Sequence, residues 1–133
     1  MQLLDGKSKS TEILAELKDI IQKNKLTPVL DMILVGDDPA SIKYTNMKQS
    51  SGKSIGINGT IHKIPSNTTE DEIISLIQKL NNDPLITAIM VQLPLPSNFD
   101  TEKIINTINP SKDADGLTAL NLGLLFLQLF LDY

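Results

Sequence analysis

Apolar residues at Ile13, Leu14, Leu17, Ile20 and Ile21 recur at helical spacing, with Lys18, Asp19 and Lys23 between them. This pattern predicts an amphipathic helix capped at Ser10 with one buried face. After Thr27-Pro28, residues 29–35 form a nearly continuous apolar run broken only by Asp31, the pattern of a buried parallel strand. Gly36-Asp37-Asp38-Pro39 ends that strand, and Pro39 suits the first turn of a helix running to about Ile55. Residues 59–64 read as a second short strand. Thr69-Glu70-Asp71-Glu72 has the form of a capping box, and it opens a helix that carries Ile73, Ile74, Leu76, Ile77 and Leu80 and stops at Asn81-Asn82-Asp83-Pro84. Residues 86–93 form a third strand, closed by Pro94-Leu95-Pro96. A short helix over about residues 101–108 then leads through Asn109-Pro110 to the turn Lys112-Asp113-Ala114-Asp115-Gly116.

Helices and strands therefore alternate from one end to the other. The fold class expected is α/β, a three-layer αβα arrangement around a mainly parallel sheet in one domain. No internal repeat or low-complexity linker divides the chain.

Composition narrows what such a domain can do. The 133 residues include 12 Lys, no Arg, 16 acidic residues and one His, for a net charge of −4. At 41% apolar and 21% charged the chain has a globular composition. Mild acidity without a Lys run argues against nucleic-acid binding. Without Arg, any anion must be held by Lys, backbone amides or helix termini. Zero Cys excludes disulfides, thiolate zinc sites and a cysteine nucleophile, and a single His excludes the common His-based metal sites, so no metal is expected. The start, MQLLDGKSKS, has no apolar core of signal-peptide length, which makes the cytoplasm the expected location and the sequons at Asn58 and Asn67 coincidental. The apolar stretch over residues 120–131 falls short of the ~20 residues that span a bilayer, so no membrane partner is expected.

In an open parallel sheet, ligands bind beyond the carboxyl ends of the strands. The first strand delivers residues 36–41 to that edge, and the third delivers Gln92. Tyr44 and Lys48 lie one helical turn apart and share a face, where a ring can stack on a flat ligand beside an ammonium group. An ordinary amphipathic face produces the same spacing. Gln92, an uncharged amide at the end of a buried strand, must find hydrogen bonds, either with a ligand or in pinning a loop. Asp115 before Gly116 suits a plain turn or a site, and a catalytic pair with Asp113 would require opposed environments. Other features carry no chemistry. Ser51-Gly52-Lys53-Ser54 imitates the end of a phosphate loop but lacks its earlier glycine, Gly52, Gly56 and Gly59 lack dinucleotide spacing, His62 reads as a satisfied or exposed strand residue, and Lys43 and Lys53 read as solvated helix charges.

Four motifs stand in order: Leu4-Asp5-Gly6-Lys7; Val35-Gly36-Asp37-Asp38-Pro39-Ala40-Ser41 with Tyr44 and Lys48; Val91-Gln92-Leu93-Pro94-Leu95-Pro96; and Pro110-Ser111-Lys112-Asp113-Ala114-Asp115-Gly116-Leu117. Together they resemble the bifunctional methylenetetrahydrofolate dehydrogenase/methenyltetrahydrofolate cyclohydrolase family, from about Leu3 to Gly123. The resemblance implies a tetrahydrofolate site in a cleft. There Tyr44 stacks on the aminobenzoyl ring, Lys48 is the central catalytic group, Gln92 positions it, and Asp115 binds the pterin nitrogens. Ser41 and the backbone around Val91, Leu93 and Pro94 contribute to the substrate pocket.

The resemblance further implies residues 1–118 as the folate-binding catalytic domain and 119–133 as an apolar segment starting an inter-domain connection. Family members continue into a dinucleotide-binding domain that holds NADP or NAD. No glycine-rich fingerprint stands in this sequence, so no cofactor-binding residue is expected here, nor hydride transfer by this chain without that domain. The family homodimer is expected only with that domain. A different class of reading is a non-enzymatic remnant that binds folate or a partner without turnover.

Overall fold

A computed structural model describes residues 5–131. Leu4, which opens the first motif, and Asp132 and Tyr133, at the end of the apolar segment, lie outside the described residues. Three parallel strands, β1 (Leu30–Val35), β2 (Ile61–Ile64) and β3 (Ala88–Val91), form a sheet in the order β2-β1-β3. Five helices accompany them: α1 (Gly6–Lys23), α2 (Pro39–Ile55), α3 (Glu70–Asn82), α4 (Thr101–Asn106) and α5 (Ala119–Leu131). The chain is thus an α/β domain with a parallel sheet, as its alternating pattern predicts.

Strand alternation divides the core between two faces. Ile33, Val35, Ile89 and Val91 pack with Ile73, Ile77 and Leu80 of α3 and Ile104 and Ile105 of α4. Met32, Leu34 and Met90 point to the opposite face, which α2 covers. The predicted capping box of α3 is present, with the Glu72 amide donating to Thr69 Oγ1 at 3.3 Å and the Thr69 amide to Glu72 Oε2 at 2.9 Å. At the head of α2, Pro39 stands in the first turn and the Ser41 amide donates to Asp38 Oδ2 at 2.7 Å.

Two glycines set aside as a failed dinucleotide motif have structural reasons. Gly56 ends α2 at φ 98°, a left-handed cap. Gly59 sits at φ 152° against β1, and a Cβ there would stand 1.8 Å from the Leu30 carbonyl oxygen. The imitation phosphate loop, residues 51–54, lies inside α2. His62 is satisfied as expected, its Nε2 2.7 Å from Oδ2 of buried Asp31, which also accepts the Thr60 amide at 3.0 Å. Asp31 therefore belongs in a strand because β2 supplies its partners.

The boundaries differ from the sequence reading in instructive ways. Helix α1 begins at Gly6, with Asp5 rather than Ser10 as its cap; Asp5 Oδ1 accepts the amides of Lys7 and Ser8 at 3.1 and 3.2 Å. Nothing between the two caps breaks a helix once the first is made. All three strands are shorter than their apolar runs, although single ladder bonds continue beyond them at Val29 and Gln92, while α4 stops at Asn106 rather than Ile108. The apolar segment after Thr118 forms helix α5, which its lack of periodicity concealed.

The expected burial of one α1 face is not found. Ile13, Leu17 and Ile20 are 43%, 41% and 50% exposed, and no α1 residue is fully buried. Helix α1 packs on α2, an outer layer, and only Leu14 and Ile21 on that side are half-buried. An apolar stripe forms the helix, but burying it takes a facing element. Ile77→Ala should therefore lower unfolding stability by about 2–5 kcal/mol in urea denaturation. Leu17→Ala should stay within about 0.5 kcal/mol, since leucine and alanine are both good helix formers and little cover is lost.

Candidate active site

Helix α2 is rolled so that Thr45 and Ser41 face the sheet, with Thr45 Oγ1 donating to the Ser41 carbonyl at 2.7 Å. The next side chain around the helix is Lys48, followed by Tyr44, a residue 54% exposed. Lys48 Nζ reaches across to the end of β3, donating to Gln92 Oε1 at 3.3 Å and lying 3.4 Å from Met90 Sδ. Gln92 satisfies its amide in both directions. Nε2 donates to the Leu93 carbonyl at 2.6 Å, which leaves Oε1 turned toward the ammonium. The loop-pin reading of Gln92 is met by its bond to Leu93, and the same side chain keeps Oε1 turned toward Lys48.

The turn after Pro110 docks beside β3, its Lys112 carbonyl accepting the Ile89 amide at 2.7 Å while the Ala114 amide donates to the Ile89 carbonyl at 3.1 Å. Lys112 Nζ secures the turn from outside by donating to the carbonyls of Leu80 and Asp83 at 3.1 and 2.7 Å, near the C-terminus of α3.

Within the turn the two aspartates have opposed environments. Asp113 accepts from the amides of Gly116 and Thr118 at 3.0 and 2.8 Å and from Asn121 Nδ2 at 3.0 Å. Burial by itself would raise its pKa. The hydrogen bonds from Thr118 and Asn121 together outweigh that and hold it below the ordinary carboxylate value of 3.8. Asp115 accepts no hydrogen bond among the described residues. Its residue surface is exposed, yet the protein around the carboxylate excludes enough water to raise its pKa above 3.8; the Lys48 charge opposes that rise and the Asp113 charge adds to it. Asp113 organises the turn, and Asp115 is the carboxylate left open beside Lys48.

The fold thus brings Lys48, Gln92, Asp115 and Tyr44 to one edge. The other candidates differ. Ser41 is buried in the first turn of α2, and the Val91 side chain belongs to the core, which leaves only its backbone for a ligand. Leu93 is half-buried against the core and joins Pro94 through a cis peptide bond. Pro94 lines a groove with Asp37 and Asp38. Sequence reasoning overlooked Met90, Thr118 and Asn121. Only Asn121 carried a signal, as an amide in an apolar run.

Among the described residues no cluster of three or more His, Asp or Glu could hold a metal ion. Nor does the turn from β1 into α2 fit the pyrophosphate of NADP or NAD. A dinucleotide places that anion on a helix N-terminus, whereas here Asp38 occupies it, kept ionised by hydrogen bonds from Ser41 that lower its pKa.

A parallel three-layer domain with a lysine and an amide meeting beyond its strand ends defines a class of small-molecule site. Residues 4–115 match the model of the tetrahydrofolate dehydrogenase/cyclohydrolase catalytic domain, and the chain belongs to that family. It is 47% identical over 126 residues to the bifunctional protein FolD of Helicobacter hepaticus, which spans 92% of this chain and 44% of that protein. Its structure superposes on the bifunctional FolD enzyme of Campylobacter jejuni with a TM-score of 0.91 at 38% identity, over 96% of this chain and 46% of that one. The Trypanosoma brucei methylenetetrahydrofolate dehydrogenase-cyclohydrolase, solved with NADP and an inhibitor, matches with a TM-score of 0.88 at 28% identity, covering 96% and 44% of the two chains. The chain spans under half the length of these relatives. Among the described residues no helix is long and apolar enough to cross a membrane.

The raised pKa of Asp115 has a defined sign. The folded state holds the proton more tightly than the unfolded chain, so the favourable contribution is complete below 3.8 and lost as pH rises through the higher folded value. Asp115→Asn, which removes the charge, should therefore raise the urea midpoint at neutral pH. That gain should vanish when the titration is repeated below 3.8.

Proposed function

We propose that this chain carries the folate site of an enzyme of one-carbon metabolism. The whole protein interconverts 5,10-methylenetetrahydrofolate, 5,10-methenyltetrahydrofolate and 10-formyltetrahydrofolate as an NADP-dependent dehydrogenase and a cyclohydrolase, in the cytoplasm, with its formyl product feeding purine biosynthesis. Residues 1–118 form the folate-binding catalytic domain, and 119–133 begin its connection to the rest. The observation that carries this reading is the approach of Lys48 Nζ to Gln92 Oε1 at 3.3 Å, between residues 44 apart in sequence, beside an open carboxylate.

Tyr44, exposed and one helical turn from Lys48, offers its ring face to the aminobenzoyl group. Asp115, free of internal partners, accepts from the amino and ring N–H groups of the pterin. Held between these points, the one-carbon bridge lies at Lys48. Water adds to the methenyl carbon and loses one proton, leaving a hydroxyl on that carbon. The bond from that carbon to N5 then breaks as the hydroxyl gives up its remaining proton and N5 takes it, and the oxygen remains as the formyl C=O on N10. Lys48 moves the proton at the reacting atoms, and Gln92 holds its Nζ in place. Ser41, through its bond to Asp38, and the backbone from Val91 to Pro94 shape the walls. Hydride transfer also requires a nicotinamide held against the folate carbon, which the dinucleotide-binding domain of the whole protein supplies.

Lys48→Ala should reduce methenyltetrahydrofolate hydrolysis by at least about 100-fold, the lower end of what a positioned acid–base group supplies. The assay follows loss of methenyl absorbance in a preparation whose unsubstituted protein is active. Full hydrolysis by a folded Lys48→Ala protein would overturn the assignment.

A further inference from the structure

The face of α2 continues beyond Tyr44. At about 100° per residue, the side chains passing outward from the sheet are Lys48, Tyr44, then Ala40 and Met47, and finally Lys43. Ala40, Lys43, Tyr44 and Met47 line a groove of about 350 Å³. Two of its walls, Tyr44 and Met47, are 54% and 53% exposed. Among the described residues Lys43 enters no hydrogen bond or ion pair, whereas Lys9, Lys23 and Lys103 are each salt-bridged and Lys112 is bound to two carbonyls.

A folate is linear, with pteridine, aminobenzoyl ring and glutamate in that order. If the reacting carbon lies at Lys48 and the ring on Tyr44, the next group along this face meets Met47 and Lys43. We infer that this groove receives the glutamyl end of the folate, with Lys43 binding its carboxylates. The inference rests on the folate reading above and adds to it the residue that recognises the tail.

The tail has another exit, and charge argues against it. On the other side of the site, a groove of about 360 Å³ is lined by Asp37, Asp38, Ser66, Pro94 and Pro96, among others. Lys63 lines the adjoining recess together with Asp37. Asp38 stays ionised through its bonds to Ser41, so two carboxylates face one ammonium there. The Lys43 groove has a cation and no acid among its lining residues. In a chain with no Arg and a net charge of −4, an anionic tail depends on such a local lysine.

The test titrates the protein with tetrahydropteroate, which lacks glutamate, with tetrahydropteroylglutamate and with its triglutamate, at low and high salt. The unsubstituted protein should bind the monoglutamate about fivefold more tightly than tetrahydropteroate at low salt, the scale of one exposed ion pair, with a larger preference for the triglutamate. High salt should reduce both preferences. Lys43→Gln should abolish them while leaving tetrahydropteroate affinity unchanged, Lys43→Arg should keep them, and Lys63→Gln should not alter them. Equal binding of all three ligands by the unsubstituted protein would overturn the inference, as would a preference that survives in Lys43→Gln or disappears in Lys63→Gln. Failure to bind even tetrahydropteroate would instead count against the folate reading itself.

Discussion

Strand β1 is paired on both sides, and its register sets the geometry of everything beyond it. Ile33 stands opposite His62 on one side and Val91 on the other. The Gln92 amide then donates to the Ile33 carbonyl at 2.9 Å, extending the ladder by one bond before the chain turns at Pro94. Because β1 also ends in the turn that starts α2, one strand aligns the helix carrying Tyr44 and Lys48 with the strand end carrying Gln92. A one-residue slip would put Gln92 on the opposite face and bury its amide in the α3 core. The close seat of Gly59 against Leu30 and the bonds of Asp31 to Thr60 and His62 oppose such a slip on the β2 side.

The site's electrostatics follow from a division of labour between neighbours in sequence. Asp113 spends its acceptors on Gly116, Thr118 and Asn121, which fixes the turn and keeps the charge. Asp115, two residues later, has no such bonds and keeps its lone pairs available. Its desolvated charge costs the fold some stability, while Lys48 recovers part of that cost. A ligand presenting N–H donors to Asp115 would supply the hydrogen bonds that the protein withholds.

Apolar surface is distributed unevenly. The α3 and α4 side of the sheet is closed by a continuous aliphatic core, whereas α1 and α5 leave Ile13, Leu17, Ile20, Leu120, Leu124 and Leu127 exposed among the described residues. Both helices form for local reasons: α1 from its Asp5 cap and a run free of proline, and α5 from a leucine-rich run that follows Thr118. Amphipathic spacing at residues 13–21 identified the helix correctly and its burial wrongly, since periodicity describes the helix and not what faces it.

The amino-acid pattern by itself determined the alternating α/β order, the capping box at Thr69, the breaks at Gly36 and Pro94, and the order and spacing of the four motifs. These are local or nearest-neighbour properties, set by backbone preference, side-chain period and hydrogen bonds over a few residues. Only the tertiary structure decided that Lys48 meets Gln92, that Asp113 is consumed by the turn while Asp115 stays open, that Asp31 finds His62, and that the α1 stripe lacks cover. Each of those depends on groups far apart in sequence being held within a few ångströms, and spacing along the chain does not encode that distance until the parallel ladder around β1 has formed.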